Sequence, residues 1–140
     1  MQAGISTVEN KLSRGSLAKR SNVNAETIRY YEKITLLPEP ERSEGGHRIY
    51  KDADLRRLCF IKRCREIGFS LEEIRELLSL VDGQLVSCER VKHIADNHLL
   101  DIAAKIADLK KMQRTLNTLT ASCSGGDVPE CPIIEALQTN

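Results

Sequence analysis

Apolar positions along the chain fall into several short periodic runs and one long one, and the breaks between them predict the elements. From Gly15 onward, Ser16 or a neighbour caps a first helix over Leu17 to Ser21, and Asn22-Val23-Asn24 makes a tight turn. Asn24 then caps a second helix to about Lys33, and two short helices joined this way read as a helix-turn-helix. Leu36-Leu37-Pro38-Glu39-Pro40 stops that helix, because proline lacks an N–H and restricts the residue before it. In the following segment Gly45-Gly46 supplies a positive φ for a hairpin turn and Arg48-Ile49-Tyr50 a short strand, together a β-wing. Asp52 opens a further helix carrying Leu55, Leu58, Cys59, Ile61 and Ile67, ended by Gly68. Phe69-Ser70-Leu71-Glu72-Glu73 is a helix start with Ser70 as cap and Glu73 at the capping-box position, and the helix fades near Asp82-Gly83.

From about Ser87 to Leu119 neither Gly nor Pro interrupts the chain, and Leu99, Ile102, Ile106, Leu109, Met112 or Gln113, and Leu116 step by threes and fours like the seam of a coiled coil. At ~1.5 Å per residue such a helix is ~45 to 50 Å long, too long to fold back on so small a domain. Its stripe therefore implies a partner helix, most simply from a second copy of the chain. The tail holds a Gly/Pro loop between Cys123 and Cys131 and ends in a short amphipathic turn or helix. The expected fold is mainly α, with a winged helix-turn-helix and second helical pair over 14–82, a dimerisation helix over 87–120, and a loop with a C-terminal helical turn over 121–140.

Composition agrees. Hydrophobic residues make up 41% of the 140 but aromatics only 4%, with no Trp, so the core is aliphatic and an all-β fold is disfavoured. Residues 1–81 carry 15 Lys+Arg against 12 Asp+Glu, a balance of +3, whereas residues 82–140 carry 6 against 8, or −2. The first segment is thus the better nucleic-acid candidate. No apolar run approaches the ~18 residues of a membrane span, and Met1 to Ser13 lacks a signal-peptide core, so a cytoplasmic protein with no membrane partner is expected. Five cysteines are odd in number and expected to be reduced there, which favours thiol or metal chemistry over a disulfide frame.

Four motifs occur in order: Glu26-Thr-Ile-Arg-Tyr-Tyr-Glu32, the Leu-Pro-Glu-Pro break, Gly-His-Arg-Ile-Tyr50, and Gly68-Phe-Ser-Leu-Glu-Glu-Ile74. Together they resemble the MerR family of transcriptional regulators over about residues 14–137. The resemblance implies an antiparallel coiled-coil dimerisation helix ending in an effector loop, and a homodimer on a palindromic operator in promoter DNA whose −35 and −10 elements lie too far apart. Effector binding then bends and untwists that DNA to realign the elements for RNA polymerase. Deformation of this kind costs a few kcal/mol, within what an effector site is able to bias. The expected DNA-binding residues are Lys19, Arg20, Asn24, Thr27, Arg29 and Tyr30 on the helix-turn-helix, with Arg48 and Tyr50 on the wing gripping the backbone. Ile28 and one of Tyr30 and Tyr31 are expected in the core.

Cys88 opens the long helix and Cys123 lies just beyond its end, so one chain cannot bring both to a single ion. In an antiparallel dimer the start of one helix meets the end of the other, which joins Cys88 to Cys123 and Cys131 of the partner subunit and makes two identical sites. Helix N-termini favour the thiolate form that metals bind, and three thiolates suit a soft cation. Members of the family with Cys at the position of Cys88 resemble sensors of Hg(II), Cd(II), Pb(II) or Zn(II), and those with Ser there sense Cu(I) or gold. An all-sulfur site puts Hg(II) first. The seven residues between Cys123 and Cys131 instead match the loops of copper and gold sensors, so Cu(I) is the alternative. Cys59 and Cys64 read as small buried hydrophobes, and His93 and His98, five apart, as solvated or seam residues. A redox or electrophile sensor using the same thiols is a second reading. An enzyme is disfavoured, since no phosphate-binding Gly loop or nucleophile–base pair is present.

Overall fold

A computed structural model describes residues 11–83 and 85–139. The polar N-terminal stretch before Lys11 lies outside these. Six helices and one two-stranded sheet follow in the order α1 (Arg14–Ser21), α2 (Ala25–Lys33), β1 (Glu41–Arg42), β2 (Arg48–Ile49), α3 (Asp52–Glu66), α4 (Leu71–Asp82), α5 (Cys88–Ala121) and α6 (Pro132–Gln138). The chain divides into two compact units, one ending at Cys88 and the other beginning at Glu89.

In the first unit α1 packs on α2 and α3, and α3 on α4. Leu17, Ile28, Leu36, Leu37, Leu58, Ile61 and Ile74 form its buried centre. The helix starts are set by side-chain caps. Ser13, not Ser16, caps α1, its hydroxyl accepting the Ser16 amide at 3.1 Å. A cap that sits one turn earlier adds Arg14 to the helix. Asn24 caps α2 by accepting from the Thr27 amide at 2.8 Å, and Ser70 and Glu73 close the expected capping box on α4 at 3.1 and 3.0 Å.

Three helices stop by the same device, a left-handed residue just past the last turn, which lets the following amide reach back to a free carbonyl. Asn22 (φ 56) serves α1, Thr35 (φ 63) serves α2 and Gly68 (φ 88) serves α3. The amides of Val23, Leu36 and Phe69 then donate to Ala18, Tyr31 and Cys64 at 3.2, 2.9 and 3.0 Å. α2 therefore ends at Lys33, as expected, but it is the left-handed turn at Thr35 that stops it, before Pro38 is reached. The prolines only keep the next segment extended. A β-branched residue rarely adopts this conformation, so Thr35 marks local strain.

β1 and β2 pair antiparallel, with Glu41 opposite Ile49 and Arg42 opposite Arg48, and of the two turn glycines Gly46 carries the positive φ, 81°. Tyr50 exchanges two 2.8 Å backbone hydrogen bonds with Leu12. This anchors the root of the wing to the residue preceding the α1 cap.

In the second unit α5 runs for 34 residues, ~50 Å at ~1.5 Å per residue. Leu99, Leu109, Met112 and Leu116 are exposed along it, and only Ile94 and His98 are buried. Gly125 and Gly126, at φ 86° and 81°, turn the loop that precedes α6. Among the described residues, no helix is long and apolar enough to cross a membrane.

Candidate nucleic-acid interface and metal centre

α2 divides its aromatic pair between two environments. Tyr31 is buried with Ile28, while Tyr30 is 47% exposed and lies beside exposed Arg29. The period of the helix turns one tyrosine to the core and presents its neighbour outward, as the expectation of one core tyrosine requires. Thr27 is half-buried in the first turn, and Lys19 and Arg20 are exposed in the last turn of α1. The Asn24 amide oxygen is occupied by the helix cap.

Between α1, α2 and the hairpin lies a groove of about 560 Å³ that gathers Arg14, Arg29, Arg42 and Arg48, with His47 at its edge. Four guanidinium groups in one concavity match the phosphate backbone of a nucleic acid, for which arginine's planar fork is suited. Sequence reading singled out Arg29 and Arg48 but missed Arg14 and Arg42. These two belong to separate elements, and only the folded chain brings them to the same groove. Arg42 is steadied by donating to the Gly46 carbonyl at 2.9 Å.

Tyr50 is a correction. Expected to grip the DNA backbone, it is 1% exposed and its hydroxyl donates to Glu32 Oε1 at 2.5 Å. Burial pushes its pKa up, and the hydrogen bond to Glu32 adds to that shift. The other Glu32 oxygen accepts from Arg48 at 2.8 Å. Glu32, which sequence reading passed over, thus ties α2 to the wing through Arg48 in β2 and Tyr50 just after it. Its side chain is only 9% exposed, which makes this pair firmer than a surface ion pair.

The cysteines occupy three settings. Cys88 is exposed at the first position of α5, Cys123 is exposed just past Ala121, and Cys131 is half-buried as the cap residue of α6. The Gly125 amide donates to Cys123 Sγ at 3.4 Å. Among the described residues, no three His, Cys, Asp or Glu side chains of one chain gather closely enough to hold a metal. Cys88 and Cys123 stand at opposite ends of α5. Exposed thiols at the two ends of a helix fit a soft ion only if a second chain completes the set. Cys64 is buried, which raises its thiol pKa, and Cys59 is half-buried, as their core reading anticipated. His93 is exposed against Asn97 at 3.3 Å, whereas His98 is buried.

A helix-turn-helix, a wing and a long helix with an exposed apolar face define a regulator of the DNA-binding class. The description "MerR HTH family regulatory protein" matches residues 12–80, and "MerR, DNA binding" matches residues 55–119. The chain belongs to the MerR family of transcriptional regulators, a family of regulators and not of enzymes. It is 46% identical over 128 residues to a mercuric resistance operon regulatory protein of Bacillus cereus, covering 91% of this chain and 97% of that protein. It is 45% identical over 127 residues to the HTH-type transcriptional regulator ZntR of Escherichia coli K12, covering 89% and 90%. Among solved structures, it resembles the transcription regulator PbrR691 from Ralstonia metallidurans CH34 in complex with lead(II), with a TM-score of 0.78, 39% identity and coverage of 90% and 98%. It also resembles the dual-function regulator MerR of Bacillus megaterium MB1 in complex with mercury(II), with a TM-score of 0.69, 42% identity and coverage of 87% and 95%.

Proposed function

We propose that this protein is a cytoplasmic, homodimeric regulator that binds promoter DNA through its helix-turn-helix and wing, and responds to a thiophilic divalent metal held by Cys88 with Cys123 and Cys131 of the partner subunit. The observation that carries this reading is the placement of exposed Cys88 and Cys123 at opposite ends of a helix whose apolar stripe is itself exposed. A second copy running antiparallel would cover the stripe and complete the thiol set in one step. Relatives and neighbours described by mercury, zinc or lead support a metal effector.

The arginine groove, Tyr30, Lys19 and Arg20 hold the dimer to the duplex, and Glu32 holds the wing at its angle to α2. Cys88 of one subunit, with Cys123 and Cys131 of its partner, would hold the ion and so tie together the ends of the two long helices. The dimer then distorts the promoter for RNA polymerase. Hg(II) is the first choice because the donor set contains only sulfur. Cu(I) is the second, favoured by the seven-residue spacing between Cys123 and Cys131.

Titration of the reduced dimer with Hg(II), Pb(II), Cd(II), Zn(II) and Cu(I), each against a calibrated thiol chelator, tests the reading through the thiolate-to-metal absorption band. One divalent ion per subunit, lost in Cys88→Ser, is the expected outcome. Tight binding of Cu(I) alone, indifferent to Cys88→Ser, would move the protein to the monovalent branch. Induction by oxidants or aldehydes without metal would mark a redox sensor instead.

A further inference from the structure

The exit of α2 is braced from two sides by guanidinium groups that lie outside the arginine groove. Arg75 of α4 donates to the Ile34 carbonyl at 2.6 Å and to the Thr35 hydroxyl at 3.1 Å. Arg57 of α3 donates through Nε to the Leu36 carbonyl at 2.7 Å and through Nη1 to the Asp82 carboxylate at 2.7 Å. The Leu36 amide in turn donates to the Tyr31 carbonyl inside α2. A continuous hydrogen-bonded path therefore runs from Asp82, the last residue of α4, through Arg57 to the recognition helix. Only five residues of chain, 83–87, separate Asp82 from Cys88.

Two features suit this path to carry a signal and not merely to add stability. Asp82 is 56% exposed, and a pair of that kind contributes little to folding. Thr35, at φ 63°, lies between the two braced carbonyls, and a β-branched residue held there stays only while its surroundings enforce it. Loosening the brace gives the exit of α2 another arrangement to adopt, the two-state element that coupling requires.

We infer that Arg57 is a positioning residue for the response to effector: it couples the end of α4 to the recognition helix, and through it occupancy at Cys88 alters the geometry of bound DNA. This rests on the function proposed above. Lysine in its place keeps the charge but cannot reach both acceptors with one planar fork.

The test uses full-length wild type, Arg57→Lys and Asp82→Ala with a duplex selected in vitro from random sequence and carrying a fluorescent base analogue at its centre. Hg(II), Pb(II) and Cu(I) serve as probe ions. Both variants should bind the ions and, without ion, the duplex within about threefold of wild type, while the ion-dependent fluorescence change falls at least about fivefold. Should Arg57→Lys fold poorly, Asp82→Ala alone decides, since it removes only an exposed carboxylate and leaves the Leu36 bond in place. Equal responses in variants and wild type overturn the coupling, as does a loss of DNA affinity that is the same with and without ion. A wild type that responds to none of the ions overturns the function proposed above, and the coupling with it.

Discussion

In the unit that ends at Cys88, Leu17, Ile28, Leu58, Ile61 and Ile74 have no exposed surface, while along α5 Leu99, Leu109, Met112 and Leu116 each leave more than half of theirs exposed. The residue types are alike and their fates differ because of geometry. Four short helices and a hairpin are able to fold around one centre, whereas a single straight helix of ~50 Å has no neighbouring element of its own length. The first unit builds a closed centre within one chain, whereas the α5 stripe needs a second chain to cover it. The polar groups follow the same division. Glu32, Arg48, Tyr50, Arg57 and Arg75 are engaged with one another or with carbonyls across the first unit, while along α5 Lys92 pairs with Asp96, His93 with Asn97 and Thr118 with the Arg114 carbonyl, each four residues apart.

The sharpest way to break this contrast is to charge the α5 stripe. Leu109→Glu combined with Leu116→Glu should cost the dimer about 4 kcal/mol or more, roughly a thousandfold in dissociation constant. Sedimentation should show monomers whose helix-turn-helix unit still melts cooperatively. A dimer of unchanged affinity would mean that the stripe serves another purpose.

Next in size is Leu58→Ala in the first unit, expected to cost about 2–5 kcal/mol through the cavity it leaves. Thermal melts at two protein concentrations distinguish the two regions: the loss from Leu58→Ala should be the same at both, while the effect of the α5 substitutions should depend on concentration. Concentration dependence for Leu58→Ala would show that the first unit is not self-sufficient.

Smallest is Tyr50→Phe, which removes one hydrogen bond and should cost about 1 kcal/mol. It also carries a signature in pH. Burial raises the Tyr50 pKa above its ordinary 10.0, so the folded state favours the protonated hydroxyl. The stabilisation is complete below pH 10.0 and is lost as pH rises through the folded value. Denaturant melts across that range should show a shallower alkaline decline in Tyr50→Phe than in wild type. An identical decline would mean that the hydroxyl is not held by Glu32 and is free for the phosphate contact expected from sequence.

The elements were legible because their signals are local. A cap acts over three residues, as Asn24 does on Thr27 and Ser70 on Glu73, and the seam of α5 is a period that can be counted along the chain. Even the local errors were small: Ser13 replaces Ser16 as the cap of α1, and Thr35 ends α2 ahead of Pro38. The site was legible as a set of residue types, so Arg29, Arg48 and the three exposed or half-buried cysteines were singled out before their surroundings were known.

What the sequence by itself determined is the order and kind of the elements and the apolar period that runs along α5. Tertiary structure alone decided that Tyr50 turns inward to Glu32, that Arg14 and Arg42 join Arg29 and Arg48 in one groove, and that Arg57 reaches Leu36 and Asp82. Tyr50 lies 18 residues from Glu32, Arg14 lies 28 from Arg42, and Arg57 lies 21 from Leu36 and 25 from Asp82. Helical and strand periodicity carry information over a few residues only, so which distant side chains meet is settled when the helices pack.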